Sequence, residues 1–169
     1  MTEAVIVVSD TSAISNLIKI DKLFILTGLF PKIVVPPAVF SEIMQLDQFD
    51  IPLQKFLEAY GRGQIQTQIA TDSDEELAEL RKTLDKGESE AIILAGEIDA
   101  DLLLMDERLG RKIAIQRGLA VIGLLGVLML AKQGKIIESV KPLLDDLRHK
   151  AGFWFSNDLY QEVLKSVYE

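Results

Sequence analysis

Short apolar runs alternate with longer amphipathic segments along most of the chain. Five runs have the length and composition of strands, at residues 4–9, 32–35, 64–69, 102–105 and 119–122. Between them, apolar side chains recur every three or four residues, as on the buried face of a helix. Strands that alternate with helices specify a parallel sheet covered on both faces, with right-handed crossovers. The sequence therefore predicts an α/β protein.

Proline, glycine and N-capping residues bound the predicted helices. The first helix follows residues 10–12, and a final helix follows a cap at residues 156–158. Further helices are predicted at residues 23–29, 37–46, 52–60, 72–86, 87–98 and 108–117. A chain of 169 residues is the size of one domain. We predict a single domain over residues 1–169, in which residues 136–169 form a C-terminal helical extension packed on the rest.

The absence of cysteine narrows the chemistry and the compartment. With no thiol in the chain, a disulfide framework and a thiolate metal site are excluded, and we expect any metal ion to be held by oxygen ligands. The apolar run after Glu3 lacks a basic leader and a cleavage site, so no signal peptide is predicted. No apolar stretch approaches the roughly 20 residues that span a bilayer. We expect a cytoplasmic protein that does not enter the membrane.

Charge disfavours nonspecific binding to nucleic acid. The net charge of −8 opposes attraction to a phosphate backbone, although a divalent cation bound among acidic residues reverses the local field. Basic residues gather beyond Asp106, namely Arg108, Arg111, Lys112 and Arg117. They form either a phosphate-binding patch or, more commonly for such residues, a solvated helix face.

Acidic residues lie where a parallel α/β protein builds its binding site. Asp10 and Asp106 directly follow two predicted strands, and open parallel sheets bind ligands at the carboxyl ends of their strands. Glu42 lies beside the buried stripe of its helix, near the same rim. Glu88 and Glu90 both fall in the first turn of the next long helix. Helix geometry does not decide which of these two carboxylates faces inward.

Each of these acids also has an ordinary structural explanation. Asp10 and Asp106 could simply cap the helices that follow them, and the helix dipole favours acids in a first turn. Asp99 and Asp101 enter a strand from its amino end, so they belong to the opposite rim. Acids after two strands and on two helices of one sheet are nevertheless a more specific pattern than any single acid. Together they predict a metal-binding carboxylate cluster.

Such a cluster supports metal-assisted cleavage of phosphodiester bonds. Carboxylate oxygens select Mg²⁺ or Mn²⁺, and such ions activate water and stabilise charge on the leaving oxygen. Asp10 and Asp106 are the predicted metal ligands. The other predicted residues are Glu42, Glu88 and Glu90 to complete the shell, Thr11 or Ser12 to orient a ligand or water, and Arg108 or Arg111 to bind a substrate phosphate.

An aromatic run, Phe153-Trp154-Phe155, precedes the final helix. We interpret it as an apolar anchor, because such a run more often packs in a core or a dimer seam than serves as a platform for stacking bases.

The acidic motifs resemble those of the PIN-domain nucleases, in particular the PIN-like proteins related to VapC-type toxins of toxin–antitoxin pairs. The resemblance is carried by residues 5–12, 34–39 with Glu42, 87–92, 103–108 and 123–128. It assigns the four family acids to Asp10, Glu42, Glu90 and Asp106, and the family hydroxyl position to Thr11 and Ser12.

The chain departs from the family pattern at two points. The third family acid is commonly aspartate, whereas this chain has Glu90 with Glu88 nearby. Many members also carry an aspartate shortly after the fourth acid, where this chain has Arg108 and Leu109.

The resemblance implies an α/β/α sandwich around a mainly parallel sheet, dependence on Mg²⁺ or Mn²⁺, single-stranded RNA as substrate, a homodimer and an inhibitory antitoxin partner. The alternative hypothesis is a catalytically weak PIN-like module that binds RNA or protein. The net charge and the missing late aspartate favour this alternative slightly.

Overall fold

The computed structural model describes residues 4–71 and 74–169. Its elements in chain order are β1 (Val7–Ser9), α1 (Thr11–Lys19), α2 (Phe24–Leu29), β2 (Ile33–Val35), α3 (Pro37–Met44), a 3-10 helix (Gln45–Phe49), α4 (Gln54–Gly61), β3 (Ile65–Thr67), α5 (Asp74–Leu80), α6 (Lys86–Glu97), β4 (Leu102–Leu104), α7 (Arg108–Gln116), β5 (Val121–Ile122), α8 (Leu124–Gln133), α9 (Lys141–His149) and α10 (Asn157–Ser166).

The five strands form one sheet in the order β3-β2-β1-β4-β5, and every pair is parallel. In register, Val8 of β1 lies beside Val34 of β2 on one side and Leu103 of β4 on the other. The chain first winds outward from β1 through β2 to β3, then returns to the other side of β1 and continues through β4 to β5. The strand order therefore reverses between β1 and β4, where doubly wound sheets bind their ligands.

Alternate side chains of the strands point to opposite faces of the sheet and build two cores. Val7 and Leu104 join the larger core, which includes side chains of α1 to α4 and of α8 to α10. Val8 and Leu103 join the smaller core with side chains of α6 and α7. The predicted α/β/α sandwich is thus confirmed, with an entirely parallel sheet. The C-terminal helices α9 and α10 contribute to the larger core, whereas the predicted boundary at residue 136 stays a prediction.

Several elements are shorter than the patterns predicted. The first strand begins at Val7 rather than at residue 4, and Val5 and Ile6 are exposed. The charged helix predicted over residues 72–86 is represented by α5; residues 72–73 lie outside the described residues. After α5 the chain turns, Leu84 is buried, and Asp85 caps a new helix. The polar composition that suggested one continuous helix therefore conceals this N-cap.

Other boundaries agree with the sequence. Helix α7 ends just before Gly118, whose φ of +83° is a conformation that glycine adopts without a steric penalty. The hydroxyl of Ser156 accepts a hydrogen bond from the N–H of Leu159 and caps α10 as predicted. Among the described residues, no helix is both long and apolar enough to cross a membrane.

Candidate active site

Asp10 and Asp106 lie at the point where the strand order reverses. Asp10 follows β1 and Asp106 comes two residues after β4, and these two strands are hydrogen-bonded neighbours. The backbone N–H of Asp10 donates to the carbonyl of Leu104 at 2.9 Å. The two aspartates are therefore brought to the same carboxyl-end rim by parallel pairing, although they are far apart in the chain.

Helix capping does not account for these two aspartates. Asp10 occupies the N-cap position of α1, but its side chain makes no capping hydrogen bond and the residue is only 5% exposed. Helix α7 is capped by Glu107, whose carboxylate accepts two backbone N–H groups of the first turn. Asp106 instead accepts a hydrogen bond from the N–H of Leu124, at the start of α8, at 3.0 Å. Neither carboxylate therefore caps the helix that follows it.

The hydroxyl groups at the start of α1 hold two of the acids. The hydroxyl of Thr11 donates a hydrogen bond to the Glu42 carboxylate. The hydroxyl of Ser12 lies 3.5 Å from Oδ2 of Asp106. Asn16, one turn later, donates its amide to the Ser12 carbonyl at 2.9 Å. Helix α1 thereby links the acid on α3 to the acid after β4.

The Glu42 carboxylate fits against a glycine of α6. A Cβ atom built on Gly87 would lie 2.7 Å from Oε1 and 2.8 Å from Oε2 of Glu42, which is closer than non-bonded atoms approach. Any larger residue at position 87 would have to displace the carboxylate. The glycine before the Glu88 motif thus leaves room for the acid that α3 supplies.

These side chains share one open cavity of about 450 Å³. It is lined by six of the predicted residues and by five that the sequence reasoning did not single out. The predicted ones are Asp10, Thr11, Ser12, Glu42, Glu88 and Asp106; the additional ones are Ser15, Asn16, Lys19, Asp85 and Glu107.

Two of the additional residues had a recognisable sequence signal. Asp85 and Glu88 have the spacing of a capping box, and Asn16 lies one helical turn after Ser12 on the same face of α1.

Three predicted residues lie outside the walls of this cavity: Glu90, Arg108 and Arg111. Arg108 is exposed at the first position of α7. Arg111 lies beside the cavity, donates to the carbonyl of Met105 at 3.1 Å, and helps to lower the pKa of Asp106 against the effect of burial. Arg111, one of the two arginines predicted to bind phosphate, is therefore close to a strand-end acid.

The structure separates Glu88 from Glu90. The Glu88 carboxylate accepts the N–H of Asp85 at 3.1 Å, and its own N–H donates to the Asp85 side chain at 2.8 Å. This capping box holds Glu88 at the edge of the cavity. Glu90 turns elsewhere, and one of its carboxylate oxygens is buried with no hydrogen-bond partner among the described residues.

The cavity concentrates negative charge. Burial, followed by the charges of Asp85, Glu88 and Glu42, raises the pKa of Asp10 to about 7 from an ordinary value of 3.8. Burial also raises the pKa of Asp106 and, together with Asp85 and Glu107, that of Glu88. The protein therefore holds carboxylates where their ionised form is unfavourable, an arrangement that often marks functional sites.

The residues fit a divalent cation by their chemistry. Among the described residues, no three acidic or histidine side chains are already close enough to hold an ion. The donors are nevertheless carboxylate oxygens, the ligands that Mg²⁺ and Mn²⁺ prefer. A cation would also offset the burial and the repulsion between carboxylates that together raise the pKa of Asp10. Asp10, Glu42, Glu88 and Asp106 could hold such an ion, with side-chain adjustment on binding.

The doubly wound sheet and its acidic cleft define an α/β protein with a candidate metal-dependent site at the strand ends. The chain belongs to the PIN domain family, whose model matches residues 6–169. PIN domains are generally nuclease-like and usually use divalent metal ions. This membership confirms the family resemblance, whereas the VapC-type subgroup stays a prediction.

The fold is similar to a solved structure, a PilT N-terminus domain protein from the hyperthermophilic archaeon Sulfolobus solfataricus P2. The two chains are 20% identical, with a TM-score of 0.52, and the similarity covers 72% of this chain and 89% of the other. At this identity, the comparison supports the fold alone. No curated protein matches the chain.

Proposed function

We propose that this protein is a metal-dependent endoribonuclease that cleaves single-stranded RNA. The observation that carries the proposal is the cavity at the strand-order reversal, where Asp10 and Asp106 meet Glu42 and Glu88. Membership of the PIN domain family supports nuclease chemistry, and the all-oxygen donor set suits Mg²⁺ or Mn²⁺.

The four acids have different supports within the proposed site. Asp10 and Asp106 are the principal ligands, because each is presented by a central strand. Glu42 is oriented by the Thr11 hydroxyl, and Glu88 is held by its capping box. The ion, when bound, would supply an activated water and stabilise charge on the leaving oxygen.

Glu90, the third acid by resemblance, is the alternative to Glu88 in this role. One of its carboxylate oxygens is buried without a hydrogen-bond partner among the described residues, so this oxygen is free to become a ligand if the side chain reorients when the ion binds.

Basic side chains near the cavity provide contacts for the RNA backbone. Arg111 is beside Asp106, and its planar guanidinium suits a bidentate contact with a phosphate. Lys19 contributes a second positive charge to the cavity wall. Arg108, exposed at the start of α7, is proposed to contact a phosphate farther along the strand. With a net charge of −8, binding should depend on these few contacts and on the ion.

Cleavage of a mixed panel of single-stranded RNAs tests the proposal. Wild-type protein is assayed with Mn²⁺, Mg²⁺ or EDTA, beside the variants Asp10→Asn and Asp106→Asn. Asp101→Asn is the matched control, because Asp101 precedes the amino end of β4 and its carboxylate binds the backbone N–H of Ile6. We expect metal-dependent cleavage that is lost in both site variants and retained in the control. Cleavage that is retained in Asp10→Asn would contradict the assignment of this cavity as the active site.

A binding module without catalysis is the second candidate. It is favoured by the absence of three converged metal ligands among the described residues and of an aspartate at position 108 or 109. Thermal unfolding with millimolar Mn²⁺ separates the candidates, because an ion that binds the folded state raises its stability. A rise in Tm that disappears in Asp106→Asn supports the nuclease. No shift, together with no cleavage, favours the module.

We further propose that the protein acts in the cytoplasm as a homodimeric toxin, restrained by a small antitoxin protein. The support is the resemblance to VapC-type proteins in residues 87–92 and 123–128. Light scattering of the purified protein tests the dimer, and co-purification with the product of an adjacent small gene tests the antitoxin. A monomer at micromolar concentration would contradict the dimer, and failure to co-purify would contradict the antitoxin. Growth that is unaffected by expression without the partner would contradict the toxin.

A further inference from the structure

A second cavity adjoins the acidic one. Its volume is about 580 Å³, and Asp106 lines both cavities. Arg111 stands with Asp106 at the junction, while side chains such as Ile122, Leu125 and Met129 make the remaining wall largely apolar. A ligand that reached the acids could therefore extend into an apolar cavity without leaving the protein surface.

Trp154, the only tryptophan of the chain, lines this second cavity and is 83% exposed. An exposed tryptophan of this kind is unusual, because its large apolar surface would normally be buried. Phe155, the next residue, is only 5% exposed and belongs to the larger core. The predicted apolar anchor is therefore right for Phe155, whereas Trp154 is left in solvent.

The backbone on either side of Trp154 is held in place. The N–H of Phe153 donates to the carbonyl of Leu147 at 2.9 Å. The guanidinium of Arg148 lies 4.5 Å from the centroid of the Phe155 ring and donates to the Phe155 carbonyl at 3.1 Å. Because both neighbours are anchored, the Trp154 ring is presented at the rim of the cavity at a low cost in backbone entropy.

The chemistry of the cavity suits a nucleobase. A base is a flat apolar ring with polar edges, and bases of single strands stack on exposed aromatic side chains without requiring a particular sequence. The negative net charge limits what phosphate contacts can contribute to the binding free energy. Base stacking should therefore supply a larger part of it. A second copy of the chain is a less suitable occupant, because Arg111, which is half-buried at the junction, would then lose its remaining contact with water.

We propose that this cavity binds a base of single-stranded RNA adjacent to the phosphate at the acidic site, with the base stacked on Trp154. The inference rests on the proposed function only in taking the strand through the acidic cavity; stacking itself requires neither metal nor cleavage. Arg111, at the junction, would then contact the phosphate between the two cavities.

Fluorescence of the sole tryptophan gives a direct test. Asp10→Asn protein, which should not cleave, is titrated in Mn²⁺ and, separately, in EDTA with a short single-stranded oligoribonucleotide and with an abasic oligomer of the same length and charge. We expect saturable quenching by the first and little or none by the second. Equal quenching by both oligomers, or no quenching by either in Mn²⁺ as well as in EDTA, would overturn the proposal, whatever the cleavage assays show.

Variants then test whether the ring provides affinity. In anisotropy titrations with a labelled oligoribonucleotide, we expect Trp154→Ala to weaken binding by about 5- to 150-fold and Trp154→Phe to retain most of it. Phe24→Ala is the matched control, because Phe24 is 51% exposed on α2 and lines neither cavity. Unchanged RNA affinity in Trp154→Ala, with a loss of dimer by light scattering, would identify the ring as a subunit contact and refute the base site.

RNA binding and quenching without any cleavage by wild-type protein would preserve the base site while the endonuclease proposal fails. Metal-dependent cleavage with the same rate in wild type and Trp154→Ala, at RNA concentrations below saturation, would support the endonuclease proposal and refute the base site.

Discussion

Replacing Asp10 by asparagine should stabilise the metal-free protein, and the gain should depend on pH. Asp10 is buried beside Asp85, Glu88 and Glu42, and its pKa is raised to about 7 from 3.8. The folded state therefore holds this proton more tightly than the unfolded state. Stability falls as the pH rises from about 3.8 to about 7 and loses nothing further from this group above that range.

The size of the effect follows from the two pKa values. Each unit of difference corresponds to about 1.4 kcal/mol, so ionised Asp10 destabilises the folded state by as much as about 4 kcal/mol. Much of this is already present near pH 5.5, where the unfolded chain is ionised. The advantage of Asp10→Asn over wild type should therefore grow by about 2 kcal/mol between about pH 5.5 and about pH 8.5.

Urea unfolding of both proteins in EDTA across this pH range measures the difference, with Asp101→Asn as the control for a generic loss of charge. A constant difference between Asp10→Asn and wild type would refute the reasoning. Saturating Mn²⁺ should reduce or reverse the advantage, because the wild type gains more from an ion held by Asp10.

Three further results are expected. Glu88→Gln should lower the cleavage rate by about 10- to 100-fold and leave α6 folded, because glutamine also serves in a capping box, whereas Glu90→Gln should cleave like wild type. If Glu90→Gln loses cleavage and Glu88→Gln retains it, Glu90 is the third acid. Gly123→Ala should lower the cleavage rate by about 100-fold, because its Cβ would lie 2.6 Å from Oδ1 of Asp106 and 2.8 Å from Arg111; unchanged activity in an assay at saturating RNA would show that Asp106 tolerates displacement. Glu169 accepts hydrogen bonds from Lys132, Ser139 and the N–H groups of Val140 and Lys141; burial opposes their effect, but together these bonds lower the pKa of Glu169 to about 2 from 4.5. Glu169→Gln should therefore lower the free energy of unfolding by about 1–2 kcal/mol at neutral pH, allowing for solvent screening. This loss should shrink as the pH falls from about 4.5 towards 2, and a loss that stays constant in urea unfolding across this range would contradict the prediction.

Local patterns determined how much of the fold could be predicted. The apolar runs that became β1, β2 and β4 are short, β-branched or leucine-rich, and bounded by polar residues, so their existence and direction were readable. The pairing of β1 with β4, which brings Asp10 to Asp106, depends on non-local packing and on no single motif. The sequence therefore predicted two strand ends with acids but could not show that they are neighbours.

The exposed ring of Trp154 illustrates the same limit. Three aromatic residues in a row predict burial, and Phe155 follows that expectation in the larger core. Trp154 is exposed, although the backbone on both sides of it is hydrogen-bonded to Arg148 and Leu147 of α9. These partners precede Trp154 by only a few residues, yet the direction of the ring depends on how α9 packs against the core. Hydrophobicity alone does not supply that information.

The sequence alone does not show which of Glu88 and Glu90 faces the acidic cavity. Both are in the first turn of α6, and about 100° of helical rotation per residue leaves either of them able to face the acidic cavity. The deciding contact is local: Asp85 caps α6 and binds Glu88 in a reciprocal pair. The charge pattern instead predicts a helix through residue 86, which places Asp85 inside that helix and hides the capping box. A difference of a few residues in one helix boundary is therefore enough to hide which of the two carboxylates lines the acidic cavity.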